Sequence, residues 1–168
     1  MSEVYEMFVK EYLEFVEEFS VRLDCRFKKN RGWSDIDIIG IKIKNGNSRI
    51  IVGEVKAKTL SKKDIDNEIV DFEHPALKQR ILELFGNENY EKWIFCWTMK
   101  EKELAYAKSV GINIKQFPEI IDELFKIIEN EREQRKRWIY EKNYPNLILV
   151  QMIHEFLKSN KIHLTKTN

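Results

Sequence analysis

The sequence has little glycine and proline, with six glycines and three prolines among 168 residues. Together with 43% hydrophobic and 34% charged residues, this scarcity argues against a disordered chain. No apolar run approaches the roughly 20 residues that a membrane-spanning helix needs. The acidic N-terminus also lacks the basic segment and apolar core of a signal peptide. We therefore expect an intracellular, cytoplasmic protein with no membrane partner.

Cysteine and histidine are also scarce and lie in no metal-binding spacing. Cys25 and Cys96 each lie inside an apolar, strand-like run, which predicts buried structural thiols. The three histidines are scattered along the chain, and we assign them no role.

Charge is abundant and unevenly distributed. The formal net charge is only +1. Between Arg22 and Lys63, however, the segment contains twelve Lys or Arg residues and only four Asp or Glu residues, an excess of eight positive charges. The remaining sequence therefore carries a net charge of −7. A local basic field suits a polyanion such as nucleic acid, docked at one place. The alternative is that the exposed strand faces of a lysine-rich protein are simply basic.

The pattern of apolar residues predicts an α/β fold in one compact domain. In chain order the predicted elements are a helix over 2–22, a strand over 23–27, a basic loop over 28–33, two strands joined at Asn45 and Gly46, a helix from Ser61 to 72, a helix over 75–86, a strand over 92–98, a helix over 101–109, a strand over 112–117, and helices beyond 118 with a break at Pro145. The last two strands flank a helix and should be parallel. We thus predict a mixed sheet flanked by helices over residues 1–117. Residues 118–168 should form a helical extension packed on the same domain.

The last predicted helix has an apolar stripe, which predicts either a homodimer contact or internal core. Its members are Leu147, Val150, Ile153 and Leu157.

The two-residue turn predicts which residues of the two strands face each other. Asp37 should lie opposite Glu54, with Cβ atoms about 5 Å apart, and Asp35 should lie opposite Lys56. Strict alternation puts three isoleucines on the face of Asp37, which we predict to be the buried face. These are Ile39, Ile41 and Ile43.

Two carboxylates so close together in little water need a cation, or one of them must take up a proton. Oxygen ligands at the edge of a cavity suit Mg²⁺, which takes one or two carboxylates and completes its shell with water and substrate phosphate. Lys56 lies two residues from Glu54, on the same face, and would balance charge on a phosphate. The alternative is an exposed strand end with an ordinary salt bridge.

These elements and motifs resemble the PD-(D/E)XK, or restriction-endonuclease-like, nuclease superfamily. Within it, the chain is similar to small archaeal nucleases related to Holliday-junction resolvases. The motif is Asp37 in SDIDIIG followed by Glu54-Val55-Lys56 in GEVKAK. The resemblance covers roughly residues 3–117. The chain departs from the family pattern before Asp37, where Ile36 replaces the proline.

The resemblance implies an αβββαβ-type core and a metal site for Mg²⁺ or Mn²⁺. Asp37 and Glu54 would hold the metal with help from the Val55 carbonyl, and Lys56 would be the catalytic lysine.

Three further acids are candidates by the same resemblance. Many members carry a glutamate on the first helix, for which Glu6 is the best match and Glu11 the second. Asp35 is the alternative to Asp37 as the aspartate ligand.

The implied function is metal-dependent endonuclease activity that hydrolyses phosphodiester bonds, with DNA as the expected substrate. The residues themselves leave open DNA or RNA, and linear or branched strands. The alternative is a non-catalytic nucleic-acid-binding protein or complex subunit that retains the nuclease fold.

Trp33 would stack on a base or pack at the mouth of the core. Six basic residues would hold the phosphate backbone: Lys28, Lys29, Arg31, Lys58, Lys62 and Lys63.

Overall fold

The computed structural model describes residues 2–29, 32–133 and 144–164. The chain forms two compact units, Met1–Phe117 and Pro118–Asn168. The elements are α1 (Ser2–Phe15), β1 (Ser20–Lys29), β2 (Gly32–Lys44), β3 (Asn47–Lys56), α2 (Lys62–Phe72), α3 (Pro75–Phe85), β4 (Glu91–Cys96), α4 (Glu101–Ser109), β5 (Ile112–Gln116), α5 (Phe117–Glu133) and α6 (Pro145–Leu164). This order confirms the predicted α/β fold with helices at the C-terminal end.

The five strands form one mixed sheet in the order β1-β2-β3-β4-β5. β1 to β3 pair antiparallel, whereas β4 is parallel to both β3 and β5. The predicted parallel crossover through α4 is therefore confirmed. The carboxyl ends of β3 and β4 lie at the same edge of the sheet.

The hairpin between β2 and β3 turns at Asn45 and Gly46, whose φ angles are 51° and 78°. Asparagine and glycine tolerate this left-handed backbone better than other residues, so the turn has the predicted two residues. The predicted register is confirmed from the turn to the pair Ile38 and Gly53.

The prediction is wrong beyond that pair, because the β2–β3 ladder ends there. Asp37 does not pair with Glu54 across the ladder, and Asp35 does not pair with Lys56. The N-terminal part of β2 pairs only with β1, where Asp35 lies opposite Arg26.

The predicted first helix is too long. It ends at Phe15, and β1 already begins at Ser20. The apolar spacing fits a helix as far as Phe19, which is buried. From there on, exposed and less exposed residues alternate along β1, and this period of two favours a strand. The predicted basic loop at 28–33 is also wrong in part, since β1 runs to Lys29 and β2 begins at Gly32.

The sheet is buried on both faces at its centre, so the prediction of one buried face is wrong. Ile38 and Ile39 are 0% and 1% exposed, whereas Ile43 near the turn is 72% exposed. Side chains of α2, α3 and α4 form one core cluster with Ile39 and both cysteines. On α1, Tyr12 lines a small cavity together with Ile51. Cys25 and Cys96 are free and buried, as predicted.

The C-terminal unit contains α5 from Pro118 onward and the whole of α6. Within it, the rings of Phe125 and His154 meet edge to face at 4.8 Å. Leu147 is buried, whereas Ile153 and Leu157 are about half exposed, at 46% and 47%. In the described part of the chain, no helix is both long enough and apolar enough to cross a membrane.

Candidate active site

The site lies where β2 separates from β3. Beyond the last ladder pair, the Val55 N–H donates a hydrogen bond of 2.7 Å to Asp37 Oδ2. A strand residue directs its N–H and C=O to the same neighbour. The Val55 carbonyl is therefore also directed toward β2, beside the Asp37 carboxylate.

A local irregularity in β1 and β2 accompanies the position of Asp37. The β1–β2 ladder omits the pair Asp24 and Asp37, and Asp24 has a left-handed φ of 53°. Ile36 and Ile39 belong to the same core cluster although they are three residues apart. Strict alternation is therefore interrupted between them, although the β1–β2 register is the same on both sides and no residue is inserted.

Glu54 and Lys56 come from the carboxyl end of β3. Glu54 is 4% exposed, and its Oε2 lies 2.7 Å from Lys56 Nζ. Lys56 Nζ also lies 3.3 Å from Oε1 of Glu68, a largely buried residue of α2. The ammonium group is thus held between two carboxylates.

The sequence predictions missed Glu68. In α2 it follows the buried Ile65 by three residues and precedes the buried Phe72 by four. This spacing puts it on the face of the helix that meets the core. A carboxylate on such a face needs a partner, and this signal could have identified it.

The site holds more carboxylates than its one lysine can balance. Burial, together with the nearby Asp37 carboxylate, raises the pKa of Glu54 to about 8. Burial also raises the pKa of Glu68. Burial alone would lower the pKa of Lys56, but its attraction to Glu54 and the other acids outweighs burial and raises that pKa. A divalent cation would relieve the repulsion between the acids.

The donor set fits a hard cation that keeps part of its own water shell. Asp37 and Glu54 would supply carboxylate oxygens, and Val55 would supply a carbonyl oxygen. Among the residues that the structure describes, no three His, Cys, Asp or Glu side chains form a group that could hold a metal ion. Mg²⁺ needs only one or two carboxylates when substrate phosphate and water complete the shell.

The three other candidate acids, Glu6, Glu11 and Asp35, lie on α1 and on the N-terminal part of β2. Glu6 and Glu11 are buried on α1, at 6% and 2% exposure. In the described structure, neither joins Asp37 and Glu54 in a metal-binding group. Asp35 is exposed on the N-terminal part of β2.

Two of the predicted phosphate-binding lysines make ion pairs. Lys29 pairs with Asp71 of α2. Lys58 Nζ lies 2.5 Å from Asp64 Oδ1. The hydrogen bond from Lys58 lowers the pKa of the Asp64 carboxyl group. Asp64 also completes a capping box with Ser61.

The other predicted contacts to nucleic acid are more exposed. The Lys62 ammonium lies over the Tyr106 ring, 4.3 Å from its centre. Lys28 and Trp33 face each other at the end of the β1–β2 hairpin. Trp33 is 71% exposed, so it does not pack at the mouth of the core. The remaining predicted residues are Lys63, which is exposed, and Arg31, which lies outside the described residues.

Comparisons with solved structures give distant likenesses. No family model and no curated protein matches the chain. Among solved structures, a protein of unknown function is 18% identical, with a TM-score of 0.45, over 70% of this chain and 64% of its own. A repair endonuclease from Pyrococcus abyssi is 18% identical, with a TM-score of 0.40, over 70% of this chain and 47% of its own. A protein from Vibrio cholerae is 14% identical, with a TM-score of 0.44, over 71% of this chain and 30% of its own. The chain thus spans less than two thirds of each of these proteins.

Proposed function

We propose that this protein is a nuclease of the PD-(D/E)XK type that hydrolyses phosphodiester bonds, with DNA as its expected substrate and Mg²⁺ or Mn²⁺ as its cofactor. One observation carries the proposal: Asp37, Glu54 and Lys56 converge where two strands of the sheet separate. The raised pKa of Glu54 adds support, because an excess of buried acid is what a divalent cation would neutralise.

Each residue has a distinct role in this proposal. Asp37 and Glu54 bind the cation, and the Val55 N–H fixes the Asp37 carboxylate in place. Bound there, the cation would supply an activated water and polarise the scissile phosphate. Lys56 stabilises the negative charge that develops on the phosphate oxygens in the transition state. Glu68 orients the Lys56 ammonium through their ion pair.

Nucleic acid would be held by basic side chains near the site. Lys28 and Trp33 form an exposed pair at the hairpin end, suited to a phosphate and a base. Lys58 follows β3 closely and lies beside the N-terminus of α2, where Lys62 begins the helix. A helix N-terminus adds a favourable field for phosphate.

A cleavage assay with matched substrates tests the proposal. Labelled linear duplex, single-stranded, flapped and four-way DNA and RNA are incubated with Mg²⁺, with Mn²⁺ or with chelator. We expect metal-dependent cleavage by the wild-type protein and no cleavage with chelator. Lys56→Met should bind the same substrates but cleave them far more slowly. Binding without cleavage by the wild-type protein, across all substrates and both metals, would instead favour a non-catalytic binding protein.

A further inference from the structure

Helix α2 carries three acidic residues along one face, which we call the acidic row. Asp64, Glu68 and Asp71 are spaced four and three residues apart, and this spacing puts them on the same side of the helix. The row extends over about 10 Å of the helix axis. It runs beside the buried residues Ile65 and Phe72. The acids therefore lie next to the surface of α2 that packs into the core.

Each acid of the row forms an ion pair with a lysine outside the helix. These lysines lie at the end of β1, at the end of β3 and just after β3. The pairs are Asp71 with Lys29, Glu68 with Lys56, and Asp64 with Lys58. One of these lysines is the candidate catalytic lysine, and the other two are predicted contacts to the phosphate backbone. A single helix thus binds three lysines that we expect to meet phosphate.

The acidic row leads to the candidate active site. Glu68 and Asp71 are one helical turn apart, with Cβ atoms about 5–6 Å from each other, so the lysines that they bind are neighbours. Burial is the main cause of the raised pKa of Glu68, and the carboxylates of Asp71 and Asp37 add to it. An ammonium group binds carboxylate and phosphate oxygens through the same charge-assisted hydrogen bonds. The acids of the row therefore fill positions at which these lysines would otherwise hold phosphate.

The central ion pair is held more firmly than the two outer pairs. The Lys56 ammonium lies between Glu54 and Glu68, whose side chains are only 6% and 16% exposed. The side chains of Asp71 and Asp64 are more open to water, at 26% and 25%. An ion pair in contact with water contributes little to stability. A phosphate can therefore replace the acid of an outer pair more easily than Glu68.

We propose that the acidic row of α2 lies along the path of the nucleic-acid backbone and competes with it for Lys29 and Lys58. The inference rests on the proposed nuclease function and specifies how its substrate binds. Phosphates of one strand displace Asp71 and Asp64, while Glu68 keeps its contact with the catalytic lysine. A single phosphate displaces one acid for one lysine, whereas a strand engages both lysines at once. The row thus favours a polyanion over small phosphate compounds.

The test measures binding by fluorescence anisotropy in the presence of chelator, so that no cleavage takes place. Each protein is titrated into labelled single-stranded and duplex DNA and RNA. Asp71→Asn and Asp64→Asn each remove one competing charge, and Asn keeps an oxygen that can accept the hydrogen bond from Ser61 at the start of α2. Thermal unfolding of each variant checks that the fold is kept.

Glu73→Gln is the matched control. It removes one negative charge only two residues from Asp71. Its partners, Lys78 and Lys92, are not among the predicted contacts to phosphate. The control therefore separates competition for particular lysines from a general effect of net charge.

We expect Asp71→Asn and Asp64→Asn each to tighten binding by about 2- to 5-fold, the effect of removing one competing ion pair. Lys29→Met should weaken binding. Adding Asp71→Asn to Lys29→Met should bring no gain, because the acid acts through that lysine. Glu73→Gln should bind like wild type.

Unchanged or weaker binding by folded Asp71→Asn and Asp64→Asn proteins would overturn the inference while leaving the nuclease proposal intact, since the acids would then only fasten α2 to the sheet. An equal gain in Glu73→Gln, or a gain from Asp71→Asn that persists without Lys29, would overturn it as well, because net charge would then explain the effect. Failure of the wild type and of every variant to bind any nucleic acid would overturn the proposed function itself.

Discussion

The affinity of the site for Mg²⁺ should depend on pH, because Glu54 must lose its proton to bind the cation. Burial and the Asp37 carboxylate raise the pKa of Glu54 to about 8 in the protein without a metal. At pH 7 about a tenth of the Glu54 carboxyl groups are then ionised, and at pH 9 about nine tenths. The ionised fraction therefore rises with pH, and Mg²⁺ affinity should rise with it.

The magnitude follows from that pKa. Between pH 7 and pH 9 the apparent dissociation constant should fall about tenfold, which corresponds to about 1.4 kcal/mol. Cation binding should release about one proton per site at pH 7 and about a tenth of a proton at pH 9. Titration calorimetry with Mg²⁺, in two buffers of different protonation enthalpy, measures both quantities.

Two variants make this measurement specific. Glu54→Gln should bind Mg²⁺ weakly at every pH, because the titrating ligand is gone. Asp35→Asn should keep the wild-type profile, since Asp35 is exposed and lies opposite Arg26 rather than β3. An affinity that is equal at pH 7 and pH 9, with no proton release, would refute the reasoning about Glu54.

Variants at three positions test individual contacts. Lys56→Met should bind nucleic acid normally but slow single-turnover cleavage by about 100-fold or more; normal cleavage would remove Lys56 from the mechanism. Glu68→Ala should lower kcat about tenfold with little change in KM, because it frees the Lys56 ammonium. Glu68→Gln, which still accepts a hydrogen bond, should recover most of that loss, and equal loss in both variants would contradict a positioning role. Gly53→Ala should lower the free energy of unfolding by about 1–3 kcal/mol, since the new Cβ would lie 3.0 Å from the Phe95 ring; an unchanged urea midpoint would contradict this.

The sequence was most informative where local chemistry decides the backbone. Asn45 and Gly46 specify a two-residue turn, and the turn sets the register as far as Gly53. Likewise Ser61 caps α2 as predicted, and Gly86 ends α3 with a left-handed φ of 68°. In each case a few adjacent residues carry the whole signal.

The sequence was less informative where distant segments decide the outcome. The register could not predict that β2 separates from β3 at Asp37, where the ladder between β2 and β1 also skips the pair with Asp24. The ion pair of Glu68 and Lys56 joins a helix to a strand twelve residues away in sequence. Trp97 lies at the end of an apolar run whose composition does not reveal where the strand stops.

Metal-dependent cleavage by paired site variants tests the central claim most directly. Wild type, Asp37→Asn, Glu54→Gln and the control Asp35→Asn are incubated with the substrates named above and with Mg²⁺. We predict cleavage by the wild type and Asp35→Asn. In Asp37→Asn and Glu54→Gln, cleavage should be lost while the fold and nucleic-acid binding are retained. Undiminished cleavage by folded Asp37→Asn and Glu54→Gln proteins would contradict the account, because the reaction would then not use these carboxylates.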